Sequence, residues 1–163
     1  MSPKPKQVKA IDCPSRRRLP PLLRRAWYGL NQAFRRRLKC LELTPDQFTV
    51  MRTLLENEGI TQRELTHLIS SDPNTVAALV NRMEKAGLLE RETHERDRRA
   101  NQLRLSRRGR LKYEKARVIA VNLQNEVLSV LPETEREEFL EQLEIVGEAC
   151  RQAALSSSRS EGK

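Results

Sequence analysis

Between residues 73 and 85 two chemistries alternate at helical spacing. Val76, Leu79, Val80 and Met83 recur every three or four positions, so in a helix they share one side. Pro73, Asn74, Thr75, Ala77, Ala78, Asn81 and Lys85 then turn to the other side, with Arg82 at its margin. That outer side carries groups able to address base edges in a major groove. An Asn amide pairs bidentately with adenine, an Arg guanidinium with guanine or a phosphate, and alanine methyls meet the thymine methyl. The start of the helix also directs free amides near Asn74 and Thr75 toward an anion such as phosphate. The plain alternative is a solvated helix face with no ligand.

A second basic group follows at once, in Glu95-Arg96-Asp97-Arg98-Arg99. On a compact turn, the guanidinium groups of Arg96, Arg98 and Arg99 can enter a narrow minor groove or pair with phosphates. Asp97 repels a polyanion if left free, so its useful role is internal, accepting hydrogen bonds from the turn or from a neighbouring arginine. An ordinary charged hairpin is the alternative. Arg104, Arg107, Arg108, Arg110 and Lys112 extend the basic surface and can touch a nucleic-acid backbone without conveying sequence information.

The elements that must position these groups are legible in the pattern. From Leu22 to Leu41 apolar residues recur at helical spacing, opposite an arginine-lined face, which predicts a first helix after Pro21. Thr44-Pro45-Asp46-Gln47 reads as a capping box with proline where no amide hydrogen is needed, and Phe48, Met51, Leu54 and Leu55 face inward behind it until Gly59. Thr61-Gln62-Arg63-Glu64 repeats that grammar for a short third helix, and Asp72-Pro73 opens the fourth so soon that the two must cross. Gly87 suits a helix stop. Leu88 to Thr93 and Asn101 to Leu105 alternate with period two and predict a hairpin. Behind a Ser106 cap runs a long helix, wider in apolar surface than one partner requires, which Pro132 interrupts. Thr134 and Glu137 are placed to cap a last helix bearing Phe139, Leu140, Leu143, Val146, Ala149 and Cys150.

Length and charge set the bounds. A chain of 163 residues fits one packed unit with extended ends. Residues 1–40 hold 12 basic and 1 acidic side chain, leaving 19 basic against 21 acidic in the rest, so the net charge of +9 is an N-terminal feature. A basic balance favours polyanionic partners, nucleic acid or acidic membrane surface, though solvated charge explains it as well. Cys13, Cys40 and Cys150 are odd in number and in no metal-ligand or redox-pair spacing, which suits a reducing compartment. With neither a secretory signal nor a membrane-spanning run, the expected location is the cytoplasm. His67 and His94 lack a nearby Cys or carboxylate arrangement for triad or metal chemistry, and no glycine-rich phosphate loop occurs, so neither an enzyme nor a cofactor is expected.

Across residues 22 to 150 the chain resembles the MarR family of winged-helix transcriptional regulators. The resemblance rests on LTPDQFTVMRTL (43–54), TQRELTHLI leading to TVAALVNRMEKAGLLER (75–91), DRR at 97–99 in place of the Asp-x-Arg wing motif, and LSRRG (105–109) where Leu-Thr-x-x-Gly is usual. It implies that Asp97 stabilises the wing, that Arg99 contacts DNA, and that the outer helices form a homodimer. It also implies a small aromatic or anionic effector between the dimer helices and the DNA-binding lobe. Trp27, Phe34, Phe48 and Met51 are candidates for that pocket, and all four lie on stripes that core packing itself requires. Ala77 and Ala78 stand where relatives often carry polar or basic groups, so the operator sequence does not transfer.

The expected fold class is mainly α with a small β-hairpin wing, a winged helix-turn-helix plus N- and C-terminal dimerisation helices. The expected divisions are a disordered basic arm (1–20), an N-terminal helix (21–43), a DNA-binding lobe (44–105), C-terminal dimerisation helices (106–155) and a flexible tail (156–163). The leading functional expectation is a dimeric, sequence-specific double-stranded DNA-binding repressor of near-palindromic operators. The alternative is a winged module that binds DNA without sequence preference or mainly binds protein partners.

Overall fold

The computed structural model describes the backbone of residues 18–94 and 97–160, and the side chains of 18–92 and 102–156. The expected basic arm up to residue 17, Arg96 at the hairpin tip, and residues 161–163 lie outside the described residues, as do the side chains of Asp97, Arg98 and Arg99. The order is α1 (Leu19–Leu38), α2 (Pro45–Glu56), β1 (Ile60–Thr61), α3 (Gln62–Leu68), α4 (Pro73–Lys85), β2 (Leu89–His94), β3 (Asp97–Leu105), α5 (Arg107–Leu128) and α6 (Arg136–Ser160). Both capping boxes form. The Thr44 hydroxyl accepts from the Gln47 amide while the Gln47 side chain accepts from the Thr44 amide, and Thr61 and Glu64 do the same at α3. Asp72 caps α4 by accepting from the Thr75 amide at 2.8 Å.

The core gathers one side of each element. Val50, Met51 and Leu54 of α2, Leu65 of α3, Val76, Leu79, Val80 and Met83 of α4, Leu89, Leu103 and Leu105 of the hairpin, and Tyr113 and Ala116 of α5 enclose it. Between α3 and α4 the chain turns through Ser70, whose φ of 50° lets the Ser71 amide reach back to the Thr66 carbonyl at 3.3 Å. The sheet is three-stranded and antiparallel in the order β1-β3-β2. Its third strand was not expected: Ile60 and Thr61 pair with Leu103 and Gln102, so Thr61 serves the ladder and the α3 cap at once.

Several boundaries differ from expectation, each for a local reason. α1 begins at Leu19, because Pro20 and Pro21 sit in its first turn, where amide hydrogens have no helical partner. Its apolar stripe is only partly covered within the chain: Leu38 is buried and Phe34 packs against the core, whereas Leu22, Trp27 and Leu30 are exposed. β3 begins at Asp97, so Asp97 to Arg99 lie in a strand and not in the tip, with a register slip between Thr93 and His94. Thr134 falls inside a 3-10 turn (Glu133–Glu135) ahead of α6 and does not act as its cap. α6 continues to Ser160, past the expected end at 155, and the Ser156 hydroxyl turns back to the Ala153 carbonyl at 2.9 Å.

One junction ties the lobe together. The Ser106 hydroxyl donates to the Gly87 carbonyl at 2.7 Å and accepts from the Gly109 amide at 3.0 Å, while the Ser106 amide donates to the Leu88 carbonyl at 3.1 Å. Gly109 is pressed so closely on Leu88 that a Cβ there would stand 2.0 Å from the Leu88 carbonyl oxygen. Gly109→Ala is therefore expected to lower stability by about 3 kcal/mol in urea unfolding. Gly147→Ala on α6, where an added methyl meets nothing within 4 Å, should raise it by up to about 1 kcal/mol.

The caps carry a pH signature. Glu64 is held below the usual carboxylate range by the Thr61 amide and then its hydroxyl, and Asp72 by the Thr75 side chain and then its amide. Depressed carboxylates contribute stability above their unfolded pKa and lose it as pH falls through the folded value. Acidifying from about pH 5 to about pH 2 should lower the amide-exchange protection of Thr61 and Thr75, which donate to these carboxylates, more than that of Thr44, whose acceptor is the uncharged Gln47 side chain.

Candidate nucleic-acid interface

Burial divides α4 nearly as its spacing requires. Val76, Val80 and Met83 are fully enclosed and Leu79 nearly so, leaving Pro73, Asn74, Thr75, Ala78, Asn81, Arg82 and Lys85 exposed. Ala77 is the exception, half-covered at the edge of the buried stripe. The nominated residues other than Ala77 thus form one accessible surface. Arg82 and Lys85 have no ion-pair partner among the described residues, so their charges are available to an external anion.

The free-amide expectation at the head of α4 is corrected. The Thr75 amide is taken by the Asp72 carboxylate and the Val76 amide by the Asp72 carbonyl, so this helix start presents a carboxylate where an anion would sit. Asn81 is also less free than its exposure suggests. Its Oδ1 accepts a 2.5 Å hydrogen bond from Arg91 of β2, and the same guanidinium lies 3.2 Å from the Glu84 carboxylate. The outer surface of α4 is therefore fastened to the hairpin through Arg91.

Sequence reading missed Arg91, although the signal was present. With Leu89 directed into the core, period two places Arg91 on the same side of β2, facing α4. Glu90 and Glu92 take the opposite face, where Glu92 pairs with Arg104 at 3.0 Å. That pairing is one of three that shrink the expected basic flank. Arg110 is bound to Glu58 at 3.1 Å, and Lys112 donates to the Leu41 carbonyl at 2.8 Å. Arg107 and Arg108 are exposed and make no ion pair among the described residues.

The wing places the backbone of Asp97, Arg98 and Arg99 in β3, antiparallel to β2 and beyond the end of the paired Arg91. Roles for these side chains and for Arg96 lie outside the described residues.

The four aromatic and methionine candidates do not line one cavity. Phe34 meets Phe48 edge-on at 5.0 Å, and Phe48 stacks on Tyr113 at 5.4 Å. Met51 is fully buried in the same core, whereas Trp27 is 65% exposed farther along α1. A surface depression of about 520 Å³ lies elsewhere, bordered by Asn57, Ile60, Arg63, Glu64, His67 and Leu68. Among the described residues no cluster of His, Cys, Asp and Glu is arranged to hold a metal, and no helix is long and apolar enough to cross a membrane.

Comparison with known proteins places this geometry. The model of the MarR family matches residues 43–100. The HTH-type transcriptional regulator BilQ of Clostridium symbiosum (strain WAL-14163) is 33% identical over 89 residues, which cover 55% of this chain and 62% of BilQ. The transcriptional regulator HosA of Escherichia coli is 30% identical over 125 residues, covering 74% of this chain and 93% of HosA. Among solved structures, the transcriptional repressor CouR bound to a 23-mer DNA duplex aligns with a TM-score of 0.74 at 26% identity, over 79% of this chain and 92% of CouR. CouR from Rhodococcus jostii RHA1 bound to p-coumaroyl-CoA has the same fold, with a TM-score of 0.69 at 23% identity over 77% of this chain and 88% of the other. With its capped helix pair, three-stranded wing sheet and match to HosA over nearly all of that regulator's length, the chain belongs to the MarR family of transcriptional regulators, which are not enzymes.

Proposed function

We propose that this regulator is a cytoplasmic homodimer that binds near-palindromic double-stranded DNA and represses transcription by occluding promoters. The observation that carries the reading is the exposed α4 surface of Asn74, Thr75, Ala78, Asn81, Arg82 and Lys85. It has polar and methyl groups suited to base edges, two unpaired cations, and a fully buried reverse side that holds it rigid. In this reading α4 enters the major groove while Arg96, Arg98 and Arg99 of the wing meet the backbone or minor groove, and Asp97 steadies them. Pro73 marks the groove-facing start of the helix, and Ala77 lies at its edge. The duplex-bound CouR structure supports the docking by analogy of fold.

The dimer is supported by apolar surface that the chain leaves uncovered. Trp27 and Leu30 of α1, Val118, Val121 and Val127 of α5, and Phe139, Leu143 and Ile145 of α6 are all exposed. Two-fold symmetry then sets two α4 surfaces about one helical turn apart on DNA. Release by a small aromatic or anionic effector is part of the proposal, supported by the p-coumaroyl-CoA complex of CouR. Trp27 and Phe34 are the accessible members of the nominated set; Phe48 and Met51 would contribute only after the core opens.

Selection from random duplexes is expected to recover an inverted repeat, bound with a log–log salt slope of about −0.9 per phosphate neutralised. Arg99→Ala should weaken every duplex alike, whereas Asn81→Ala should relax preference at one position of each half-site. Recovery of no common motif would favour a module that coats DNA or serves protein partners. The paired substitution Phe139→Glu and Leu143→Glu should yield monomers by light scattering, with helical circular dichroism retained and affinity for the repeat reduced about a hundredfold.

A further inference from the structure

We infer that Arg91 is a specificity-setting residue. By holding the Asn81 Oδ1, it leaves the Nδ2 hydrogens as the readier contact for DNA, and so turns that position away from adenine toward a base edge offering acceptors. The inference rests on the proposed reading in which α4 faces the major groove.

Adenine is read bidentately only when an amide offers both its oxygen and its nitrogen, the oxygen receiving the N6 amino group and the nitrogen donating to N7. Here the oxygen carries a 2.5 Å bond from the Arg91 guanidinium. That bond takes one of the oxygen's two lone pairs, and the adenine N6 amino group would have to share the same oxygen with the guanidinium to use the other. The Nδ2 group keeps its hydrogens and suits acceptors such as guanine O6 and N7 or thymine O4.

Arg91 is not a casual surface contact. Its side chain is 29% exposed, and Glu84, three residues from Asn81 on the same helix, holds the guanidinium from its Nε side at 3.2 Å. Leu89, two residues before it and nearly fully buried, fixes the strand. Asn81, Glu84 and Arg91 thus form a triad whose charges cancel internally, so Glu84 does not confront a phosphate and Arg91 does not serve as a free cation.

The test measures binding of the full chain to the four base-pair variants of its selected repeat at the position that Asn81→Ala relaxes. Wild-type protein should favour guanine or thymine there. Arg91→Met, which keeps the apolar stem and removes the guanidinium, should raise the preference for adenine about tenfold at that position and leave the others unchanged. The double variant Arg91→Met with Asn81→Ala should show no preference there. Glu84→Gln, which loosens the hold on Arg91, should shift preference in the same direction by a smaller factor, and carries the test if Arg91→Met fails to fold. Equal weakening of all four duplexes by Arg91→Met, or a wild-type preference for adenine, would overturn the inference while leaving DNA reading by α4 intact. Absence of any selected motif with wild-type protein would overturn that reading itself, and the inference with it.

Discussion

The contact between Gly109 and the Leu88 carbonyl is the constraint on which the rest of the lobe depends. Four elements end or begin within a few residues of it: α4 stops at Lys85, β2 starts at Leu89, β3 ends at Leu105 and α5 starts at Arg107. The Ser106 hydroxyl bonds both the Gly87 carbonyl and the Gly109 amide, so the helix stop, the base of the hairpin and the cap of the long helix share one side chain. Any side chain at position 109 would push α5 off the hairpin and turn the α4 surface with it. Small residues here serve approach of backbone to backbone, while large buried ones, Met83, Leu89 and Leu103, fill the space behind.

Local grammar was readable because it is written in neighbouring residues. Thr44 with Gln47, Thr61 with Glu64 and Asp72 before Pro73 specify helix starts through bonds that span three positions, and the structure contains each of them. Non-local partnerships left weaker traces. Ile60–Thr61 is too short to show a period and becomes a strand only because β3 supplies its ladder. The α1 stripe predicted a buried face, but periodicity does not say what covers it; within the chain Leu38 is buried while Leu22, Trp27 and Leu30 are exposed. Asn81 illustrates a third limit. Its outward direction follows from rotation about the helix, whereas its bond to Arg91 depends on how a strand ten residues later lies against that helix.

Electrostatics follows the same division between composition and arrangement. A net charge of +9 suggests a broadly attractive surface, yet much of the cationic complement near the lobe is committed inside the protein. Arg91, Arg104, Arg110 and Lys112 each hold an acidic side chain, and these exposed or partly exposed pairs are individually worth little to stability. Their larger effect is subtraction, since a neutralised guanidinium exerts little field a Debye length away. Among the described residues, Arg63 on α3, Arg82 and Lys85 on α4, and Arg107 and Arg108 at the start of α5 remain outside such pairs, set against the carboxylate of Asp72 at the far end of α4.

The length of α5 has a mechanical consequence. Its 22 residues make a rod of about 33 Å, with one end locked at Gly109 and the other beyond the lobe. A tilt of only about 5° at the distal end sweeps the near end through roughly 3 Å at that length, close to the rise of one base pair. Slight repacking at the distal end would thus displace the lobe fastened at Gly109 by that distance, with no need for the lobe itself to deform.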